Sequence, residues 1–238
     1  MTPEQCYKYH RAGAYDPIAQ DPGSIDAYAA RWVPPGSRIL EVGCATGYLG
    51  RYLMRANEAR IVGVEIDPGA AKAASEWYDR VIVGSIEREE VLAQLQGPFD
   101  VILLLSVLEH LQEPGAALVH LRPLLGDDGV LLVSLPNVAH WSIRMRLLAG
   151  RFDYEEYGIM DRTHLRLFTL RTARSLLLES GYTIDAFTIG DPGRPGVLRF
   201  LRCLRPWAAR TLLRVYHSLP GLFGYQFLFK ASKGTAQS

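Results

Sequence analysis

Two acidic side chains and a glycine turn are spaced as a grip on a nucleoside would require. The apolar run Arg38 to Val42 leads into Glu41-Val-Gly-Cys-Ala-Thr-Gly47 and then a helix-like stretch, so Gly43 and Gly47 stand where a strand hands the chain to a helix. Ligands of open α/β sheets bind at that place. Glycine lets the backbone turn sharply and approach a ligand, and Glu41 can accept a hydrogen bond from an ammonium or hydroxyl group. A second acid, Glu65 in Gly63-Val-Glu-Ile-Asp67, lies about 20 residues past the loop, where a carboxylate can hold both ribose hydroxyls. Taken alone, the pair fits NAD and S-adenosylmethionine equally, and two turn glycines beside a solvated acid would look the same. The dinucleotide pattern G-x-G-x-x-G would fall on Ala45, Gly47 and Gly50, so its first glycine is missing. An acid at Glu41 also suits an amino acid's ammonium better than a pyrophosphate. The loop therefore reads as built for a cationic ligand.

The elements that must carry these residues are legible as a rhythm. Apolar, β-branched runs at Arg38 to Val42, Arg60 to Glu65, Arg80 to Val83, Phe99 to Leu104 and Val130 to Ser134 predict strands buried on both faces. Helical periodicity over Tyr48 to Ala56, Pro68 to Trp77, Glu87 to Leu95 and Pro114 to Leu125 predicts crossover helices, with Pro68 and Pro114 suited to first turns. Alternation of the two predicts βαβ units and a parallel sheet. Beyond Ser134 the region Asn137 to Phe168 is polar and aromatic. A helix Leu170 to Ser180 closed by Gly181, a strand Tyr182 to Thr188 and a last strand Gly224 to Lys230 are expected to follow.

At 238 residues, 48% hydrophobic, the chain can bury one substantial core. The longest apolar run, Val101 to Leu105, is far short of the roughly 20 residues of a membrane span, and Met1 to Arg11 lacks the apolar stretch of a secretory signal. A cytoplasmic location is expected. Cys6, Cys44 and Cys203 are odd in number and lack metal-ligand spacing, which argues against disulfides or zinc. The net charge of +1 is split: 192–238 carries six arginines and two lysines without an acid, while the remainder has 18 basic against 25 acidic residues. The balance argues against nucleic acid as a partner of the whole molecule.

The loop, Gly63-Val-Glu65 and above all Phe99-Asp-Val-Ile-Leu-Leu-Leu-Ser-Val-Leu-Glu-His110 resemble class I S-adenosylmethionine-dependent methyltransferases, in the branch with the ubiquinone-biosynthesis O-methyltransferases. The resemblance spans roughly Asp21 to Phe187. Ser134-Leu-Pro-Asn-Val-Ala-His-Trp141 and Gly158-Ile-Met-Asp-Arg-Thr-His-Leu-Arg-Leu-Phe-Thr169 look like bacterial methyltransferases associated with polysaccharide and glycolipid synthesis. The resemblance implies an α/β fold: a Rossmann-like seven-stranded, mostly parallel sheet with helices on both faces and an antiparallel last strand. The organisation expected is a cap segment 1–36, a catalytic domain 37–191 plus 221–232, and a basic amphipathic helical insertion 192–220 before the last strand. The resemblance further implies that Glu41, Gly43, Cys44, Ala45 and Gly47 cradle methionine and ribose, that Glu65 binds the ribose hydroxyls and Ile66 flanks adenine, that Ser85 and Ile86 meet the adenine edge, and that Ser106 and Val107 close over the methionine side. The family usually has Gly where Ala45 stands, and often Asp where Ser85 and Ser106 stand.

Methyl transfer from a sulfonium is an in-line displacement whose leaving group needs no proton, so alignment supplies much of the rate. A hydroxyl acceptor adds the need for a base. His164 is the first candidate and His110 the second, since imidazole titrates near neutrality. Either could instead be a hydrogen-bonded scaffold histidine, His164 fixing its loop with Asp161 and Arg162. Asn137, Asp161 and Arg162 are the candidate acceptor contacts. Cys44 is expected to be a small loop residue, not a nucleophile. No metal is expected to be required, because Glu109, His110, Asp161 and His164 show no motif spacing. The expected activity is O-methylation of a sugar, a glycolipid or a small phenolic metabolite, with S-adenosylhomocysteine as product; a nucleotide-binding oxidoreductase and a non-catalytic cofactor-binding protein are the alternatives. On a helical wheel Val197, Phe200, Leu201, Leu204, Trp207, Ala208 and Val215 share one arc, and Arg199, Arg202, Arg205, Arg210 and Arg214 occupy the rest. Such an element, 197–216, could lie on the inner face of a membrane as a peripheral contact, or pack on the sheet edge or a dimer contact.

Overall fold

The computed structural model describes residues 16–190, 214 and 216–234. Its centre is a seven-stranded sheet built from β1 (Arg38–Val42), β2 (Arg60–Glu65), β3 (Arg80–Val83), β4 (Phe99–Leu105), β5 (Leu125–Pro136), β6 (Tyr182–Ile189) and β7 (Gln226–Lys233). The strand order is β3-β2-β1-β4-β5-β7-β6. β1 to β5 pair in parallel, and β7 runs antiparallel to both β5 and β6. From β1 the chain moves outward through β2 to β3, then returns to lay β4 against the other side of β1. That reversal opens a crevice at the carboxyl ends of β1 and β4, the place where open α/β sheets bind ligands.

Both faces of the sheet are covered, which is why its strands read as continuous apolar runs and not as alternations. Leu40, Val42, Ile102 and Leu104 pack into one layer, and Ile39, Val101, Leu103 and Leu105 into the other. Fully buried residues such as Leu103 and Leu104 each contribute about 1.5–3 kcal/mol by leaving water.

The helices are α1 (Pro17–Gln20), α2 (Ile25–Trp32), α3 (Tyr48–Asn57), α4 (Pro68–Ala74), α5 (Glu89–Leu92), α6 (Pro114–Leu121), α7 (Trp141–Leu148) and α8 (Leu170–Glu179), with a short helix at Pro220–Phe223. Local chemistry sets their starts. Asp67 accepts a bond from Ala70 N ahead of Pro68, and Thr169 and Thr172 form a reciprocal capping box. Gly181, at φ +83°, ends α8 in the left-handed position expected of it.

Several boundaries differ from the sequence expectation. α4 stops at Ala74, not Trp77, because the chain turns there and carries Tyr78 inward against Gly47, Gly50 and Gly63. The helix expected over Glu87 to Leu95 is a single turn. The segment expected to finish a helix at Leu125 instead opens β5, where Leu125 pairs with Phe99 ahead of a register shift. α1, α2 and α7 were not anticipated. The apolar arc of 197–216 falls outside the described residues, so the sheet says nothing about that element. No helix among the described residues is long and apolar enough to cross a membrane.

Candidate active site

A cleft of about 1220 Å³ opens at the carboxyl ends of β1, β2 and β4. Its floor is the turn leaving β1, which uses three left-handed residues: Gly43 at φ +68°, Ala45 at +48° and Gly47 at +73°. Gly43 is required twice over, by that angle and by space, since a Cβ there would sit 2.8 Å from Val107 Cγ2. Ala45 holds the same region with a methyl group, a strained choice for a residue with a Cβ.

The strained turn is fastened by the acid that ends β2. Glu65 is 3% exposed; Ala45 N donates to its Oε2 at 2.8 Å and Asp67 N to its Oε1 at 2.9 Å. A carboxylate offers about four lone-pair positions. Two backbone donors hold two of them on a residue that also lines the cleft. The geometry suits a vicinal diol, and it explains why the two motifs must meet. Ile66, 69% exposed, stands beside it with Gly84, Ser85 and Ile86 on the same wall. Ser85 Oγ accepts from Glu87 N at 3.2 Å, so its hydroxyl shapes the turn.

The loop residues divide between cleft and core. Gly43 and Ala45 line the cleft, whereas Glu41, Cys44 and Gly47 do not appear in its wall. Cys44 is buried against Gly63. Burial first, then the charges of Glu41 and Glu65, push its thiol far above the ordinary range, which keeps it protonated. Glu41, 5% exposed, accepts from the hydroxyl of Tyr78 at 2.5 Å. Sequence reading missed Tyr78, whose signal was the third and fourth glycines of the region, Gly50 and Gly63.

On the far side of β1, Ser106 follows β4 at φ +56°. Its N–H donates to Ser134 Oγ at 2.9 Å, and Gln226 Nε2 donates to Ser106 Oγ at 2.7 Å and Ser134 Oγ at 3.0 Å. Gln226 comes from the antiparallel strand and had no sequence signal, because only the sheet order brings β7 beside β5.

A further wall of the cleft is built from the turn Leu108–His110 and the loop 155–166. His110 and His164 line the cleft with their ring centroids 4.9 Å apart, edge to face. His164 Nδ1 lies 3.0 Å from the carbonyl of Ile159. A carbonyl only accepts, so Nδ1 carries the proton and the basic lone pair of the neutral ring belongs to Nε2. His110 Nδ1 likewise meets the carbonyl of Thr163 at 3.2 Å. Asp161 Oδ1 takes bonds from Thr163 N and Oγ1 at 2.8 and 2.7 Å, which fixes the turn between the two histidines. Asp161, Thr163, Tyr157 and Tyr225 also line the cleft. Among the described residues, Glu109, His110 and His164 form a group whose ligand atoms all lie within 4.8 Å of one another, spacing that a metal ion could use. Distant segments supply it, which is why no motif announced it.

Two expected acceptor contacts sit elsewhere. Asn137 is fully buried: its Nδ2 donates to Gly221 O at 3.1 Å and Gly224 O at 2.7 Å, and its Oδ1 accepts from Ala139 N at 3.0 Å. Its amide clamps the chain entering β7 and is not part of the cleft wall. Arg162 is likewise absent from the wall, although its neighbours Asp161 and Thr163 belong to it.

Comparison with known proteins agrees with this layout. The profile of a methyltransferase domain matches residues 17–186. A ubiquinone biosynthesis O-methyltransferase of Xanthomonas campestris pv. campestris is 31% identical over 123 residues, which are 50% of this chain and 51% of that protein. The chain thus spans about half the length of the curated relatives it matches. Among solved structures, a SAM dependent methyltransferase from Archaeoglobus fulgidus superposes with TM-score 0.62 at 17% identity, covering 88% of this chain and 93% of that one. The cyclopropane synthase MmaA2 from Mycobacterium tuberculosis gives 0.60 at 16% identity, covering 96% and 89%. At such identities the likeness is one of fold.

Proposed function

The chain belongs to the methyltransferase-domain family, whose methyl donor is S-adenosylmethionine, and from that premise we propose that it methylates a hydroxyl oxygen of a small acceptor: a sugar, a glycolipid or a phenol. One observation carries the choice of oxygen. His164, in the cleft wall, is held through Nδ1 by the carbonyl of Ile159, and its lone pair lies on Nε2. That is the form a general base takes.

In this reading Glu65 holds the ribose, Ile66 flanks adenine, and the turn of Gly43 and Ala45 seats the methionine portion. His110, Asp161 and His164 would form the wall of the cleft on the side of the donor's methyl group. When bound, the cofactor supplies an activated methyl group; the chain supplies alignment and takes the acceptor's proton. His164 removes that proton as the oxygen attacks. His110, tied to Thr163, packs edge-on against the His164 ring and limits its rotation.

Two titrations and one assay test the proposal. Calorimetric titration with S-adenosylhomocysteine is expected to show one site, and titration with NADH none; the reverse would replace the methyltransferase with an oxidoreductase. Methyl release from labelled cofactor on a panel of sugars, glycolipids and catechols is expected to find an oxygen acceptor. Transfer to amines alone would overturn the choice of oxygen. Binding without transfer to any acceptor would favour a non-catalytic partner.

A further inference from the structure

Helix α7 turns its apolar side outward. Trp141, Met145 and Leu148 recur at helical spacing on one face and are 49%, 57% and 81% exposed. The opposite face gives the interior one buried residue, Ile143, which packs with Ile159 and Met160 in a small cluster apart from the two layers on the sheet. An ordinary surface helix lays its apolar stripe on the core and its polar residues in water. α7 does the reverse. The patch continues past the helix into Phe152 and Tyr154, both exposed, with their rings edge to face 5.7 Å apart. Apolar side chains scattered singly over a surface need no explanation, but a contiguous patch of this kind marks a contact.

The charges around the patch select the kind of contact. From Asn137 to Phe152 the chain has three arginines, Arg144, Arg146 and Arg151, and no acid. Arg146 and Arg151 are taken by Glu155 and Asp153, which follow. Arg144 is exposed on the flank of the stripe; its Nε donates to the carbonyl of Ala139, and no ion pair to it is found among the described residues. The same corner receives the most basic stretch of the chain. Residues 192–214 include six arginines and no acid, and the chain returns from them beside α7. There Asn137 holds the carbonyls of Gly221 and Gly224, and the ring of Tyr225 lies 5.5 Å from that of His140, the residue that caps α7. A second copy of the chain packed on this patch about a two-fold axis would set these arginines against one another. An anionic surface would meet them with opposite charge.

We propose that the outer face of α7, with Phe152 and Tyr154, is an interfacial contact for a bilayer containing anionic lipid. Trp141, Met145 and Leu148 enter the boundary between headgroups and acyl chains, and Arg144 meets lipid phosphate. From Tyr154 the chain runs directly into Tyr157 and Gly158, which line the cleft, so a bilayer seated here lies next to the cleft wall. The contact does not depend on what the cleft binds.

Vesicle flotation of the full chain tests the proposal, with phosphatidylcholine alone and with phosphatidylcholine and phosphatidylglycerol in about equal parts. Wild-type protein is expected to float with the mixed vesicles at low salt, to float less as salt rises, and to stay behind with phosphatidylcholine alone. Met145→Glu with Leu148→Glu is expected to lower the affinity for mixed vesicles about tenfold or more, since two apolar side chains no longer leave water. Arg144→Gln is expected to cost about fivefold, the worth of one basic residue near an anionic surface. All these positions are exposed, so the melting temperature without lipid is expected to stay that of wild type. No flotation of the wild type, or equal flotation with both vesicle types, overturns the proposal. Flotation that survives the double substitution overturns it too, because the lipid contact would then lie elsewhere on the chain. Light scattering and melting decide whether something else covers the patch. A wild-type dimer that the double substitution turns into a monomer would assign the stripe to a second copy, and a clear drop in melting temperature would assign it to the chain's own remainder; either result refutes the lipid contact.

Discussion

Glu65→Gln is the substitution that asks most of the site, because the two carboxylate oxygens accept from different backbone donors. Ala45 N reaches one at 2.8 Å and Asp67 N the other at 2.9 Å. An amide keeps one acceptor and turns the other position into a donor, so whichever way it flips, one buried N–H faces another donor. Each bond lost is a hydrogen bond to a charged group, about 1.5–3 kcal/mol. At 238 residues and roughly 2–4 °C per kcal/mol, the ligand-free variant is expected to melt about 5–10 °C lower. Ribose binding loses a charged acceptor at the same time, so affinity for S-adenosylhomocysteine is expected to drop about 10–100-fold. Because 5′-methylthioadenosine, which lacks the amino acid, keeps the ribose, its affinity is expected to fall in parallel. Thermal melting and calorimetric titration of the two ligands read out the whole chain of reasoning. A variant that melts low yet binds S-adenosylhomocysteine within twofold of wild type would show that Glu65 braces the turn and does not hold ribose.

Three further outcomes are expected. His164→Ala should slow turnover about 10²–10⁴-fold, the usual worth of a general base, with cofactor affinity kept; full activity in single-turnover assays would reduce His164 to scaffolding. Gly63→Ala places a Cβ 2.8 Å from Cys44 Sγ and 2.9 Å from the Tyr78 ring, overpacking that costs about 1–3 kcal/mol; adding Cys44→Ala should restore part of the melting temperature, and no recovery would mean that Tyr78 alone resists. Dialysis against a chelator should leave turnover unchanged; loss reversed by a divalent ion would assign Glu109, His110 and His164 to a metal.

The sheet was legible because its strands are buried on both faces. Val101 to Leu105 can only be an interior strand, and its partners β1 and β5 had the same composition. The cup formed by the turn after β1 and the end of β2 was legible for a related reason. Its glycines and acids are fixed by local backbone angles and by one strand-to-strand pairing, and Glu65 meets Ala45 across adjacent strands. Element ends were less readable where a tertiary contact overrode propensity. α4 gives way early because Tyr78 must turn inward, and β5 begins early because Leu125 finds Phe99.

What the sequence determined unaided, then, is whatever depends on near neighbours: the βαβ rhythm, the left-handed turn after β1 and the acid that closes it. Only the tertiary structure decided which polar groups spend themselves on the fold and which face the cleft. Asn137, an attractive contact on paper, is consumed by the carbonyls of Gly221 and Gly224, while Gln226 and Tyr78, silent in sequence, reach Ser106 and Glu41. The physical reason is that a buried polar atom must find its partner wherever the packing places one. Segments far apart along the chain meet only once the sheet order is set.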